Sequence, residues 1–133
     1  MVPGTHQVRQ AVAFPPNFCF EFDVRSEPIY GTPFHLTLID ENGDELPIRF
    51  VVVNYLVGGG GVDVTLPGVT TQRVEGGLAH SIKLVRHGTT FKVYVDGHCA
   101  TTGVYGDYSQ FTGFKLDVSQ DLSFSNFIGT TLP

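Results

Sequence analysis

The sequence predicts an all-β chain, a two-sheet antiparallel sandwich of jelly-roll type. Three observations carry that prediction. Short segments that alternate between apolar and polar residues recur from end to end. Turn dipeptides separate them, at Asn42-Gly43, Pro67-Gly68, His87-Gly88 and Asp96-Gly97. No segment of about ten residues or more carries the apolar period of a helix. Roughly ten strands spaced this closely read as an antiparallel sandwich. At 133 residues the whole chain, 1–133, is one domain with one core.

Hydrophobic content of 41%, with eleven Phe and no Trp, is a globular composition and not a disordered one. Sixteen Gly and eight Pro fit many short strands joined by tight turns. The net charge of -5 argues against nucleic acid as a partner, because that partner needs a clustered basic surface. The apolar run Phe50 to Val53 is far too short to insert in a bilayer. The N-terminus lacks the basic and apolar segments of a secretory signal. Cys19 and Cys99 fit no zinc spacing. They read as a reduced pair of packed thiols, with a bridge open to them if their Cα atoms lie within about 7 Å.

In chain order, Val8 to Val12 is an edge strand, and Phe14-Pro15-Pro16-Asn17 is a loop because proline removes donors. In the next strand Phe18, Phe20, Phe22 and Val24 point to the core, with Cys19, Glu21 and Asp23 on the other face. A loop around Pro28 leads to Phe34, Leu36 and Leu38, which face in, leaving His35, Thr37 and Ile39 outside.

The register of the next hairpin turns on its loop length. A two-residue loop at Asn42-Gly43 would pair Leu36 with Arg49 and bury the guanidinium. A three- or five-residue loop pairs His35 with Arg49 or Val51 and keeps Arg49 on the polar face. The longer loop is expected, since an unpaired buried Arg is costly. After the strand Ile48 to Val53, the glycines 58–61 form a flexible loop or a bulged crossing. Val62 to Leu66 alternates again, and Gln72 to Val74 is a short strand. A hairpin then runs through Ile82 and Leu84, turns at His87-Gly88, and returns through Phe91, Val93 and Val95. A short strand near His98 to Thr101 comes after it, then two more at about Gly113 to Val118 and Leu122 to Ile128.

Catalytic chemistry is not announced. No Gly-x-Ser-x-Gly turn is present, and Glu21 with Asp23 reads as a solvated strand face rather than a glycosidase pair. The chain is therefore expected to be no enzyme and to carry no cofactor. His6, His35, His80, His87 and His98 show no pair at metal-ligand spacing. Asp40-x-Asn42-x-Asp44 opens like a calcium loop, but Val51 stands where the bidentate Glu belongs, so it reads as a hairpin turn. The glycine run lacks the Gly-Lys-Ser/Thr ending of a phosphate loop.

With these strands in order, most of the chain, from about Val8 to Phe127, resembles the galectins, the galactoside-binding lectins. VRQAVAFPPNFCFEFDV is similar to their opening, and FHLTLIDENGDE to their His-x-Asn-x-Arg strand and hairpin. FVVVNYLVGGGGVD resembles the Val-x-Asn strand before Gly-x-Trp-Gly-x-Glu, while FKVYVDGH and FTGFKLDVSQDLSFSNF resemble later strands. The resemblance implies a concanavalin A-like jelly roll whose concave face binds β-galactosides, in a cytoplasmic or non-classically secreted protein. It places His35 at the motif's His and Asn54 at its second Asn. Thr37 replaces the first Asn, Leu38 or Ile39 replaces the Arg, glycine replaces the Trp, and Asp63 stands near the Glu.

Losing the ring and the guanidinium removes most of the attraction for a neutral sugar, roughly 1–3 kcal/mol each. Ordinary galactoside binding is thus expected to be lost, with Arg49 a substitute donor at a shifted position. HSIKLVRHGTTFKVYVDGHCATTG with NFIGTTLP also resembles laminin-G-like domains of the same architecture. The expected function is a non-catalytic binding module. It mediates protein–protein contact or self-association as a homodimer, using outward Val51, Val53 and Tyr55. The alternative is a divergent lectin that holds a glycan through His35, Thr37, Arg49, Asn54 and Asp63.

Overall fold

The computed structural model describes residues 5–11, 17–26, 31–54, 60–77, 79–106, 108–119 and 122–131. These described residues form eleven strands: β1 Thr5–Ala11, β2 Phe18–Ser26, β3 Gly31–Asp40, β4 Glu45–Asn54, β5 Gly60–Thr65, β6 Gln72–Glu75, β7 Ala79–His87, β8 Thr90–Val95, β9 His98–Val104, β10 Phe111–Ser119 and β11 Leu122–Thr131. A six-stranded sheet has the order β1-β10-β3-β4-β5-β6, and a five-stranded sheet has the order β11-β2-β7-β8-β9. Every neighbouring pair is antiparallel.

Two meanders, β3 to β6 and β7 to β9, supply the body of the two sheets. The chain's ends close the fold, because β1 and β11 pair with β10 and β2 and become edges of different sheets. The strand expected from Val8 begins earlier, at Thr5, its expected end at Val12 lies outside the described residues, and the final three strands all extend beyond their predicted ends. The loops at Phe14-Pro15-Pro16 and around Pro28, and the glycines Gly58 and Gly59, lie outside the described residues.

Each inner face is built by alternation. From the larger sheet Phe34, Leu36, Leu38, Leu46, Ile48, Phe50, Val52, Val62 and Val64 are buried, and from the smaller Phe18, Phe20, Phe22, Val24, Ile82, Leu84, Phe91, Val93 and Val95. Burying one such Phe or Leu side chain is worth about 1.5–3 kcal/mol, so this paired face holds the sheets together. Phe34 and Phe50 are cross-strand partners whose rings stack at 4.7 Å and 7°.

The β3–β4 hairpin takes the three-residue loop. His35 pairs with Arg49, Ile39 pairs with Glu45, and Gly43 adopts φ +85°. The resemblance of Asp40-x-Asn42-x-Asp44 to a calcium loop dissolves here. Asp40 Oδ1 accepts the backbone N–H groups of Asn42 and Asp44, each at 2.9 Å, and Oδ2 accepts that of Ser109. At Asp96-Gly97 both residues have positive φ, 52° and 84°, as a type I′ turn requires.

The cysteines depart from expectation. Both are free, and while Cys19 is buried, Cys99 is exposed, so the two are not a packed pair.

Candidate functional site

The outer face of the six-stranded sheet gathers three of the five polar residues nominated by sequence, His35, Arg49 and Asp63. Alternation along β3, β4 and β5 turns His35, Arg49, Asp63 and Thr65 away from the core that Phe34, Phe50, Val62 and Val64 fill. The ladder sets them in rows. One row runs Asp117, His35, Arg49 and Thr65 across β10, β3, β4 and β5. The next runs Val51, Asp63 and Arg73 across β4, β5 and β6. Residues directly opposite on one face lie within about 5.5 Å at Cβ, and diagonal ones within about 8 Å, so the rows form one surface.

The charges on that surface are not equivalent. Arg73 grips Asp63 with both prongs, Nε donating to Oδ1 at 2.6 Å and Nη2 to Oδ2 at 2.9 Å. Lys115 pairs with Glu45 at 3.0 Å. Thr65 and Thr71 share a hydrogen bond between their hydroxyls at 2.7 Å. Arg49 is exposed and, among the described residues, has no ion pair or hydrogen-bond partner for its side chain. Its cross-strand neighbours His35 and Thr65 carry no negative charge, and the nearest diagonal carboxylate, Asp63, is already held by Arg73.

The five nominated residues therefore divide. His35, Arg49 and Asp63 come together. Thr37 sits two residues along β3, opposite Pro47, and is only 3% exposed, so it does not stand open on the face. Asn54 ends β4 opposite Gly60, away from the Arg49 row, and its side chain lies outside the described part of the structure. Thr65 and Arg73 were not anticipated. The signal that marks Arg73 is the short strand Gln72 to Val74 taken with Asp63, because only the β5–β6 register places the two opposite each other.

Of the outward apolar residues, Val51 is half-buried, Val53 is buried at 6% exposure, and Tyr55 lies outside the described residues. Among the described residues, the exposed large apolar side chains are instead Val104, Phe127 and Ile128, on the edge strands β9 and β11 of the other sheet.

Two further clusters hold the scaffold rather than the face. Arg86 occupies the last inward position of β7, at 7% exposure. Its guanidinium donates to the carbonyls of Gly88, Ser109 and Tyr108 at 3.0, 2.6 and 2.8 Å and packs on the rings of Phe91 and Phe111. Burial pulls its pKa below the ordinary arginine value, and the negative charge of Asp40 opposes that pull. His80 is buried beside the Asp96 carboxylate at 2.8 Å and the Gly77 carbonyl at 2.6 Å, tying β7 to the β8–β9 turn. No group of three or more His, Cys, Asp or Glu converges among the described residues to hold a metal ion.

The fold is a jelly-roll β-sandwich, an architecture also found in galectins, a carbohydrate-binding module and a pentraxin. A tetrameric galectin from the ball sponge Cinachyrella sp. superposes with a TM-score of 0.64 at 15% identity, over 93% of this chain and 99% of that one. The carbohydrate-binding module CBM66 from Bacillus subtilis gives 0.55 at 14% identity, over 98% and 84%. A marine PL7 alginate lyase from Zobellia galactanivorans gives 0.58 at 14% identity, over 94% of this chain but only 65% of the lyase. Identities this low establish the architecture alone. No protein-family model matches the sequence, and neither does any curated protein.

Proposed function

We propose that this chain is a non-catalytic glycan-binding module whose recognition surface is the outer face of the six-stranded sheet, centred on Arg49. The observation that carries this reading is the row His35–Arg49–Thr65. It sets an uncommitted guanidinium between two hydrogen-bonding side chains on an exposed face, with the Asp63–Arg73 pair alongside. Ordinary β-galactoside recognition is lost in this reading. The chain has no Trp, and the described residues of that face include no Phe or Tyr on which a sugar ring could stack.

The architecture's occurrence in galectins and in a carbohydrate-binding module supports a binding role without naming a ligand. The test is a glycan array probed with the wild-type domain and with His35→Ala. Selective retention that weakens in the variant is expected, and a blank array would overturn the reading.

A second reading is favoured by a different observation. Val104 at 69%, Ile128 at 54% and Phe127 at 43% exposure lie on opposite edge strands of the five-stranded sheet. Edges bearing exposed apolar side chains support protein contact, self-association included.

A further inference from the structure

Deepening the glycan-binding reading, on which it rests, we infer that the ligand of the Arg49 face is an acidic saccharide. Its carboxylate or sulfate would be held by the Arg49 guanidinium. Arg73 is spent on Asp63 through two hydrogen bonds, and Lys115 is spent on Glu45. Among the Lys and Arg of that face whose side chains are described, Arg49 is the one that is exposed and uncommitted, with His35 and Thr65 as its direct neighbours across the ladder.

A planar guanidinium offers five donors and no acceptor, in a fork that matches carboxylate and sulfate oxygens two at a time. Neutral sugars are recognised differently, by mixed donors and acceptors beneath a stacking ring. Here the described outward residues supply no such aromatic platform. The chain carries a net charge of -5, so a general attraction for polyanions does not arise from its overall charge. Recognition of an anion must be local. The Asp63–Arg73 pair beside Arg49 is charge-compensated, so its carboxylate does not repel the ligand as a free one would. Its unused lone pairs remain acceptors for sugar hydroxyls. Thr65, two residues beyond Asp63 on the same face, adds a hydroxyl next to Arg49.

The experiment uses the full chain in affinity electrophoresis and titration calorimetry against three polymers: polygalacturonate for the carboxylate, heparin for the sulfate, and galactan as the neutral counterpart. The wild type is expected to bind one or both acidic polymers and not galactan, and the polymer that binds names the anionic group. Arg49→Ala should weaken that binding about tenfold or more, as loss of a charge-assisted bidentate contact does, and Arg49→Lys should recover only part of it. The control is Arg25→Ala, which removes an equal charge from an exposed position on the five-stranded sheet and should bind as the wild type does.

Equal weakening in Arg25→Ala and Arg49→Ala would overturn the inference by showing diffuse charge attraction. Binding of galactan that ignores Arg49→Ala would overturn the acidic ligand while leaving the glycan-binding reading intact. Failure to bind any glycan would overturn both.

Discussion

At the scale of single residues, the stakes are highest where a charge is buried at the end of the sandwich. Arg86 fills an inward position that the alternation of β7 assigns to an apolar side chain. It is tolerated because three carbonyls and two rings surround its guanidinium. Replacing it with Met keeps the volume but leaves the carbonyls of Ser109 and Tyr108 without their donor. Arg86→Met is expected to cost about 2–4 kcal/mol, read as a lower urea midpoint at unchanged slope.

Asp40 makes a pH prediction. Burial raises its pKa, but the N–H donors of Ser109, Asp44 and Asn42, with Arg86, outweigh that and hold the carboxyl below its ordinary value of 3.8. A depressed folded-state pKa contributes stability that is present above the unfolded value and lost as pH falls through the folded one. Thermal melts should therefore drop as pH falls below about 4, and Asp40→Asn should flatten part of that acid limb. Neither role was legible in the sequence. The segment from Tyr105 to Gln110 has no strand period, so nothing told where its carbonyls would lie.

At the scale of elements, the register of the β3–β4 hairpin was legible from one residue. The cost of burying Arg49 decided between loop lengths, and the observed His35–Arg49 pair agrees with that choice. Thr37 was not legible, because alternation assigns a face but not whether neighbours cover it. The β5–β6 register was hidden too, since the connection from Leu66 to Thr71 gave no loop length to count.

That register depends on Gly61. A Cβ there would collide with the Val74 carbonyl and the Glu75 Cα, both on β6. Gly61→Ala is expected to loosen β6 from β5 and with it the Arg73 grip on Asp63. The check is amide hydrogen exchange, in which Arg73 to Glu75 should lose protection while β3 and β4 keep theirs. Glycan binding should weaken in the same variant although no ligand-facing side chain has changed.

At the scale of the whole molecule, the sandwich presents two surfaces of different character, a polar sheet face on one side and apolar strand edges on the other. The edge reading makes its own prediction. If β11 and β9 mediate self-association, the sedimenting mass of the wild type rises with concentration, and Ile128→Lys sediments as a monomer throughout. A concentration-independent monomer in both would remove that reading and leave the sheet face untouched.

The face itself is mounted on the stacked rings of Phe34 and Phe50, each one residue along from His35 and Arg49 and turned to the opposite side of the same two strands. A recognition patch bolted to such a stiff foundation is shaped before its ligand arrives, so little ordering entropy is surrendered on docking. Evolution could then retune what is captured by swapping outward side chains, while any change to the hidden ring pair would misalign the whole platform at once.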